Sequence, residues 1–313
     1  MGTLIYIVGV MVVVLTLAVA VLYLFPLGSD RLQQGKSETL AFTDATSVGR
    51  RAVQRDGYNP RVLRECRTQL LTHANKTAKA VLMLHGYTGC PGDYSGLAQL
   101  FYERGYNVYV PREPHHGLAD VKEASRVSSA GLVDYADDGM NVVAALGDEV
   151  GVIGESGGAA LATWLAQYRS DSVAHLLALA PLYQPDSAQA PGFAIKPLTV
   201  LFGQRLLPDR QVSGTDFTLS GLAQYLRIVR NYRDEPTNPK LRSVGVVFST
   251  EDPYIDRGFA ADIPTRIAEA NELKVRVHEF GPELKVGHNI LDPVLLGSRT
   301  REIEELYFEM YEG

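Results

Sequence analysis

The sequence Gly-Glu-Ser-Gly-Gly at residues 154–158 places Ser156 in a G-x-S-x-G pattern. An apolar stretch precedes this pattern, and a helical stretch, residues 157–168, follows it. A serine on such a strand-to-helix turn presents its hydroxyl for nucleophilic attack, because small neighbouring residues let the backbone make the tight turn. The N-terminus of the helix also favours the negative charge that develops during acyl transfer. The pattern therefore predicts Ser156 as a catalytic nucleophile.

Asp252 and His288 supply the two further groups that a serine nucleophile needs. A serine hydroxyl requires a general base, and the base requires a carboxylate that orients it. Asp252 follows a predicted strand at 243–248, and His288 follows a predicted strand at 273–280. The order serine, aspartate, histidine along the chain is a known order for such a triad. The sequence therefore predicts that these three residues form a catalytic triad.

Three other residues compete for the roles of acid and base. Glu251 and Asp256 lie close to Asp252 in the chain and are alternatives for the acid. His278 is the alternative base, but it lies within a predicted strand, where a packed or surface histidine is expected. We therefore keep Asp252 and His288 as the predicted acid and base.

The loop at residues 85–89, His-Gly-Tyr-Thr-Gly, follows an apolar strand and is expected to approach the nucleophile. The N–H groups of Tyr87 and Gly157 are the predicted oxyanion hole. Such a donor stabilises the tetrahedral intermediate by about 3–4 kcal/mol. His85 is expected to support this loop rather than to act as a base or a metal ligand.

Two adjacent histidines, His115 and His116, raise the question of a metal site. The sequence contains neither an H-x-H-x-D-H nor an H-E-x-x-H pattern, so no metal site is predicted. The predicted chemistry needs no cofactor.

Short apolar runs alternate with helical patterns through residues 61–313, which predicts an α/β fold with a mostly parallel sheet and helices on both faces. The predicted strands are 80–84, 107–110, 150–154, 176–180, 243–248 and 273–280, and the predicted helices are 94–104, 131–146, 157–168, 258–270 and 299–310.

The alternation stops at residues 182–242, which we interpret as an inserted helical cap with one helix near 222–232. Apolar residues in this segment, such as Phe193, Leu198 and Phe202, favour an acyl or otherwise apolar substrate. The segment holds eight Lys or Arg and five Asp or Glu, a net charge of +3 in a chain of net charge −6. A solvated basic face is favoured over a surface for anionic substrates or lipid headgroups.

The first 28 residues form a candidate membrane segment. The apolar run 4–27 is long enough to cross a hydrocarbon core of about 30 Å, and no basic residue precedes it. We therefore predict an uncleaved single-span transmembrane anchor, with a cleaved signal as the alternative, followed by a linker at 29–60. Four Lys or Arg between residues 31 and 51 would place the body in the cytoplasm by the positive-inside rule.

The composition narrows the classes of function. The chain has 313 residues, of which 46% are hydrophobic and 21% charged, with a net charge of −6. This balance argues against nucleic-acid binding, which usually shows a basic face. Two cysteines, Cys66 and Cys90, are too few for a disulfide scaffold, and they leave open a single bridge or two buried thiols.

Five motifs together resemble the α/β-hydrolase superfamily, and within it the branch of carboxylesterases, monoacylglycerol lipases and serine aminopeptidase S33-like proteins. The resemblance spans about residues 60–310. The motifs are LHGYTG at 84–89, VPREPHHG at 110–117, GESGG at 154–158, DP at 252–253 and GH at 287–288.

The chain departs from this branch at two positions. His115 stands where the branch usually has glycine, and Gly157 stands where it often has a larger residue, which implies a slightly roomier acyl site.

Cys66 and Cys90 resemble the cysteines of a bacterial subgroup, and this likeness implies a Cys66–Cys90 disulfide. A disulfide implies an extracytoplasmic setting, whereas the positive-inside rule predicts a cytoplasmic one. We favour the extracytoplasmic side.

The resemblance and the residues together predict a serine hydrolase that cleaves carboxylic esters, including lipid-derived esters, through an acyl-enzyme on Ser156. A peptidase or amidase that uses the same triad is one alternative. A non-catalytic binding protein of the same fold is the other.

Overall fold

A sheet of seven strands forms the centre of the computed structural model, which describes residues 2–212 and 215–313. The strands are β1 Gln69–Leu71, β2 Thr77–Leu84, β3 Asn107–Val110, β4 Gly147–Glu155, β5 Val173–Leu179, β6 Ser243–Ser249 and β7 Val275–Phe280. Their order is β1-β3-β2-β4-β5-β6-β7; β1 pairs antiparallel with β3, and the other neighbours pair in parallel. The mostly parallel sheet is confirmed, and the edge strand β1 was not predicted.

Helices cover both faces of this sheet. The helices of the described residues are α1 Gly2–Leu24, α2 Phe42–Tyr58, α3 Ser95–Glu103, α4 Ser129–Leu146, α5 Gly157–Tyr168, α6 Gly192–Gly203, α7 Leu219–Val229, α8 Arg257–Glu269, α9 Pro293–Leu296 and α10 Thr300–Glu312, of which α1, without a buried residue, lies off the sheet. Successive residues of β2 contribute to opposite faces: Leu82 packs in the cluster that contains α4 and α5, and Met83 packs in the cluster that contains α3 and α10. This alternation is the pleat of a strand that is buried on both sides.

Helices α6 and α7 lie between β5 and β6, in the segment 182–242 that was predicted as a cap. Thr218 begins α7, since its side chain accepts a hydrogen bond from the N–H of Gly221 at 3.2 Å. The two helices contact each other, and α7 also contacts α5. They therefore stand over the carboxyl end of the sheet, where a parallel sheet places its functional loops.

The N-terminal helix α1 is long and apolar enough to cross a membrane, with a mean hydropathy of 2.9 over its most apolar window. A signal sequence near an N-terminus has the same properties.

The segment 29–60, expected to be a linker, is folded onto the domain. Helix α2 packs on α4 and β1, and its Asp56 is fully buried. An ion pair of 2.8 Å with Arg112 and a hydrogen bond of 2.7 Å from the hydroxyl of Thr68 hold this carboxylate. Despite burial, these partners lower the pKa of Asp56. Polar composition suggested a linker, but the polar residues pair with positions distant in the chain.

Candidate active site

Ser156 lies on the turn between β4 and α5. Its backbone is in the left-handed region, with φ 52° and ψ −114°, which is strained for a residue with a side chain. Its N–H donates to the carbonyl of Leu179 at 2.8 Å, and its carbonyl accepts from the N–H of Leu182 at 3.1 Å. A Cβ atom on Gly158 would lie 2.0 Å from the carbonyl oxygen of Leu84, so only glycine allows this approach. The tight turn expected of the G-x-S-x-G pattern is present.

Ser156, His288 and Asp252 are joined in one chain of hydrogen bonds. Nδ1 of His288 lies 2.7 Å from Oδ2 of Asp252, and Nε2 of His288 lies 2.8 Å from Oγ of Ser156. A carboxylate only accepts hydrogen bonds, so Nδ1 carries a proton and Nε2 is free to accept from the serine hydroxyl. All three residues are buried. The arrangement has the geometry that removal of the serine proton requires.

The electrostatic surroundings of His288 favour its charged form. Burial opposes an imidazolium, but the hydrogen bond and the negative charge of Asp252, together with the charge of Glu155, raise the pKa of His288 above its ordinary value. The other oxygen of Asp252 accepts from the N–H of Tyr254 at 2.9 Å, which fixes the orientation of the carboxylate.

The competing residues lie elsewhere. Glu251 is exposed to solvent, and Asp256 caps α8 by accepting from the N–H of Phe259 at 3.2 Å. His278 lies in the edge strand β7, where its ring packs on Phe280 at 4.9 Å between centroids. None of these side chains takes the place of Asp252 or His288.

The loop after β2 approaches Ser156, as expected for an oxyanion loop. A Cβ atom on Gly86 would lie 3.1 Å from Cβ of Ser156. The side chain of Tyr87 is buried and shares a hydrogen bond of 3.0 Å with the hydroxyl of Thr218. Gly157 is the first residue of α5, so its N–H has no acceptor within the helix.

His85 supports this loop. Its Nδ1 donates to the carbonyl of Gly86 at 2.9 Å, and its Nε2 accepts from the N–H of Glu113 at 3.0 Å. Burial lowers the pKa of His85 to about 4, so the ring is neutral and can make both bonds.

Glu155 is a buried carboxyl next to Ser156. A Cβ atom on Gly86 would lie 3.1 Å from its Oε2. Burial raises the pKa of Glu155 to about 7, against the opposing effect of His288. The sequence analysis did not identify this side chain, although its position between Gly154 and Ser156 puts it on the turn that carries Ser156.

A second buried network, unseen in the sequence, surrounds Glu113. The hydroxyl of Tyr225 donates to Oε1 of Glu113, and Nδ1 of His116 lies 3.0 Å from the same oxygen. Oε2 of Glu113 and Nε2 of His116 have no hydrogen-bond partner among the described residues. The only sequence signal was the PREPHHG motif, and it does not indicate Tyr225, which lies 112 residues after Glu113.

An apolar cavity of about 250 Å³ opens beside His288. Of the apolar residues named from the sequence, Leu198 and Phe202 line it, whereas Phe193 is 73% exposed and does not. Side chains of the cap segment 182–242, together with two residues from loops that follow it, form its wall. The lining residues are Leu182, Pro185, Gln189, Ala190, Ile195, Leu198, Thr199, Phe202, Val212, Phe217, Leu219, Leu222, Ala223, Leu226, Tyr254 and His288.

Cys66 and Cys90 are joined in a disulfide that connects the segment before β1 to the loop that follows β2. No group of three or more His, Cys, Asp or Glu side chains suited to a metal ion occurs in the described part of the chain.

The sequence is similar to a known protein family and to a bacterial lipase. Residues 75–262 match the family model described as serine aminopeptidase, S33. A thermostable monoacylglycerol lipase from Bacillus sp. (strain H-257) is 28% identical over 99 residues, which are 32% of this chain and 39% of that protein. The chain therefore aligns with well under half of this relative's length.

Two solved structures show the same fold. A structure of the metagenome-derived lipolytic enzymes LipS and LipT matches with a TM-score of 0.56 and 18% identity, over 79% of this chain and 98% of that one. A soluble variant of the monoglyceride lipase of Saccharomyces cerevisiae matches with a TM-score of 0.55 and 10% identity, over 78% of this chain and 92% of that one. Since the family model covers more than half of the chain, the protein belongs to the serine aminopeptidase S33 family of α/β-hydrolases.

Proposed function

We propose that this protein is a serine hydrolase that cleaves carboxylic esters through an acyl-enzyme on Ser156. The observation that carries the proposal is the chain of hydrogen bonds of 2.8 and 2.7 Å from Ser156 through His288 to Asp252, at the edge of an apolar cavity. In this proposal the catalytic domain includes the segment 29–60 that folds onto it, residues 182–242 form its cap, and helix α1 forms the membrane anchor.

In this proposal Oγ of Ser156 attacks the ester carbonyl while its proton passes to Nε2 of His288. The N–H groups of Tyr87 and Gly157 receive the oxyanion. His288 then gives the proton to the departing alcohol as the carbon–oxygen bond breaks, and the acyl group remains on Ser156. Water, deprotonated by His288, attacks the acyl-enzyme, the bond between the acyl carbon and Oγ breaks, and His288 returns the proton to Ser156 as the acid is released. Asp252 stabilises the imidazolium in both steps.

The cavity supports an apolar acyl group as the substrate's principal feature. Among the described residues that line the cavity, His288 is the only histidine, and none is an aspartate or a glutamate. An aminopeptidase substrate carries an ammonium group, which would have no acidic partner there. The lining therefore favours an ester with an apolar acyl chain over an N-terminal peptide.

Labelling with a fluorophosphonate probe tests the nucleophile. We expect the wild type to be labelled, and Ser156→Ala and His288→Ala to lose the label. His278→Ala is the matched control, since it removes a histidine of β7 that does not contact Ser156. A folded wild-type protein that stays unlabelled would refute the proposal.

Substrate class is tested with p-nitrophenyl esters of graded acyl length and with aminoacyl p-nitroanilides. Rates that rise with acyl length support the ester proposal. Faster cleavage of the anilides would identify a peptidase on the same three residues instead.

We propose that the domain lies outside the cytoplasm, because a disulfide such as Cys66–Cys90 forms in oxidising compartments. Protease treatment of cells tests this placement. Digestion of the domain in cells whose outer envelope is removed but whose cytoplasmic membrane is intact supports it, and protection until that membrane is lysed would contradict it.

A further inference from the structure

The end of helix α1 is attached directly to both cap helices. The hydroxyl of Tyr23 donates to the carbonyl of Phe193 at the start of α6, at 2.8 Å. The carbonyl of Leu27 accepts from Nε of Arg227 in α7 and from Nδ2 of Asn231, both at 3.1 Å. The apolar helix and the cap therefore meet without an intervening tether.

The residues that follow are fixed to the body of the domain. Leu32 is completely buried, and its carbonyl accepts from Nε1 of Trp164 at 2.7 Å. Arg31 makes ion pairs with Asp134 at 2.7 Å and with the buried Asp137 at 2.6 Å. An ion pair with a buried carboxylate is costly to break, because the charge left behind is unpaired. We call residues 23–33 the clamp.

The clamp lies beside the entrance of the cavity. Gln189 lines the cavity and is exposed, so it marks the entrance, and it lies four residues before Phe193. Helix α6 has exposed large apolar side chains at both ends: Phe193 at its start, at 73%, and Leu206 and Leu207 just beyond its end, at 62% and 43%. We call these three residues the cap face.

We propose that the cap face lies on the lipid bilayer, that the clamp holds it there, and that the cavity therefore takes esters directly from the membrane. This inference rests on the proposed ester hydrolysis and on α1 as the membrane anchor. A flexible tether would leave the domain free to turn, but the clamp leaves no free residues between α1 and the cap.

The chemistry of the cap face fits a bilayer surface. Exposed apolar side chains gain free energy when they enter the boundary between headgroups and acyl chains. Arg205 and Arg210 flank Leu206 and Leu207 in the chain, and both are exposed. These two cations, next to Leu206 and Leu207, complement anionic headgroups.

Depth measurements on the full-length chain test this placement independently of catalysis. The chain is reconstituted in vesicles of phosphatidylcholine with one fifth phosphatidylglycerol, and an NBD fluorophore is attached through Phe193→Cys. The matched control is Asp148→Cys, whose side chain is 75% exposed at the other end of β4, about 25 Å from Ser156. We expect blue-shifted emission and quenching by nitroxide lipids at position 193, and neither at position 148.

Activity on membrane esters supplies the second measurement. Leu206→Asp should lower the hydrolysis of a long-chain monoacylglycerol in vesicles by about tenfold, because one apolar contact with the bilayer is lost. Its hydrolysis of soluble p-nitrophenyl acetate should stay unchanged. Val294→Asp, at a residue that is 85% exposed outside the cap face, should change neither rate.

Arg31→Ala tests the clamp itself. It should weaken the quenching at position 193 while the chain stays bound to the vesicles. Water-like emission at position 193 in vesicle-bound wild type would overturn the inference and leave ester hydrolysis untouched. Absence of fluorophosphonate labelling would overturn the proposed function, while the depth measurement would still decide the orientation.

Discussion

The ring of Tyr225 lies against Gly157, so closely that a Cβ atom at position 157 would lie 2.7 Å from Cε1 of Tyr225. Tyr225 is fully buried, and its hydroxyl donates to Glu113. The expectation that Gly157 gives a roomier acyl site is therefore wrong, since the aromatic ring fills that space. The contact instead ties one proposed oxyanion donor to the buried network around Glu113.

Replacing this glycine should disturb the oxyanion hole. In Gly157→Ala the ring of Tyr225 or the N–H of residue 157 must move, and loss of one oxyanion donor lowers kcat by about a hundredfold or more. KM should change little, because the donor acts mainly in the transition state. Gly57→Ala is the matched control, since a Cβ atom at that helical position meets nothing within 4 Å. Equal kcat values for the two variants would contradict the assignment of Gly157.

The pKa of His288 sets the acid limit of the proposed activity. Only the neutral imidazole can accept the proton of Ser156, and Asp252 raises the pKa of His288 above its ordinary value of 6.5. The acid limb of kcat/KM should therefore have its midpoint above pH 6.5. In Asp252→Asn the charge is absent, so the pKa should fall and the midpoint should move to lower pH. Fluorophosphonate labelling rates across the pH range measure both, and an unmoved midpoint would exclude this role for Asp252.

Glu155 should make the folded state less stable as the pH rises. Its pKa is raised from 4.5 to about 7, so the folded state holds the proton more tightly than the unfolded state. Its contribution is fully present below about pH 4.5 and is lost as the pH rises to about 7. Relative to the wild type, Glu155→Gln should gain at most about 3 kcal/mol in free energy of unfolding across this window.

Urea unfolding at a series of pH values measures this difference. Glu251→Gln is the matched control, because it removes an exposed carboxyl. A constant difference between Glu155→Gln and the wild type from pH 4 to pH 8 would show that folding does not raise the pKa of this carboxyl.

The parts of the fold that follow local patterns were predictable. Alternating strands and helices place the ends of β4, β6 and β7 at one edge of the sheet, and Ser156, Asp252 and His288 follow these ends. Their meeting is a consequence of parallel topology, so spacing along the chain was enough to anticipate it.

The parts that depend on distant pairing were not predictable. Arg31 and Asp137 are 106 residues apart, and their ion pair converts an expected linker into a clamp. Helix α6 contains Pro197, which breaks the helical pattern in the sequence, yet tertiary packing keeps the helix. The sequence around a polar residue indicates neither its partner nor whether it is buried, because both depend on segments that are distant in the chain.

The length of the cavity should limit the acyl chain that the protein accepts. Leu198 lines the cavity from α6, whereas Leu201, three residues later on the same helix, does not. Leu198→Trp fills part of the space, so kcat/KM for a long p-nitrophenyl ester should fall by about tenfold relative to the acetate, the size of one or two lost methylene contacts. Leu201→Trp should leave that ratio near its wild-type value. An unchanged ratio in Leu198→Trp would place the acyl chain elsewhere.

The disulfide should contribute to stability by restricting the unfolded chain. Cys66 and Cys90 are 24 residues apart, and closing a loop of this size stabilises a protein by about 3 kcal/mol. Cys66→Ser combined with Cys90→Ser should therefore lower the free energy of unfolding by about this amount, as measured in urea. Reduction of the wild type should produce the same loss and should leave the double variant unaffected. If both thiols of untreated protein reacted with maleimide on unfolding, the bridge would be absent, and the support for an extracytoplasmic domain would be lost with it.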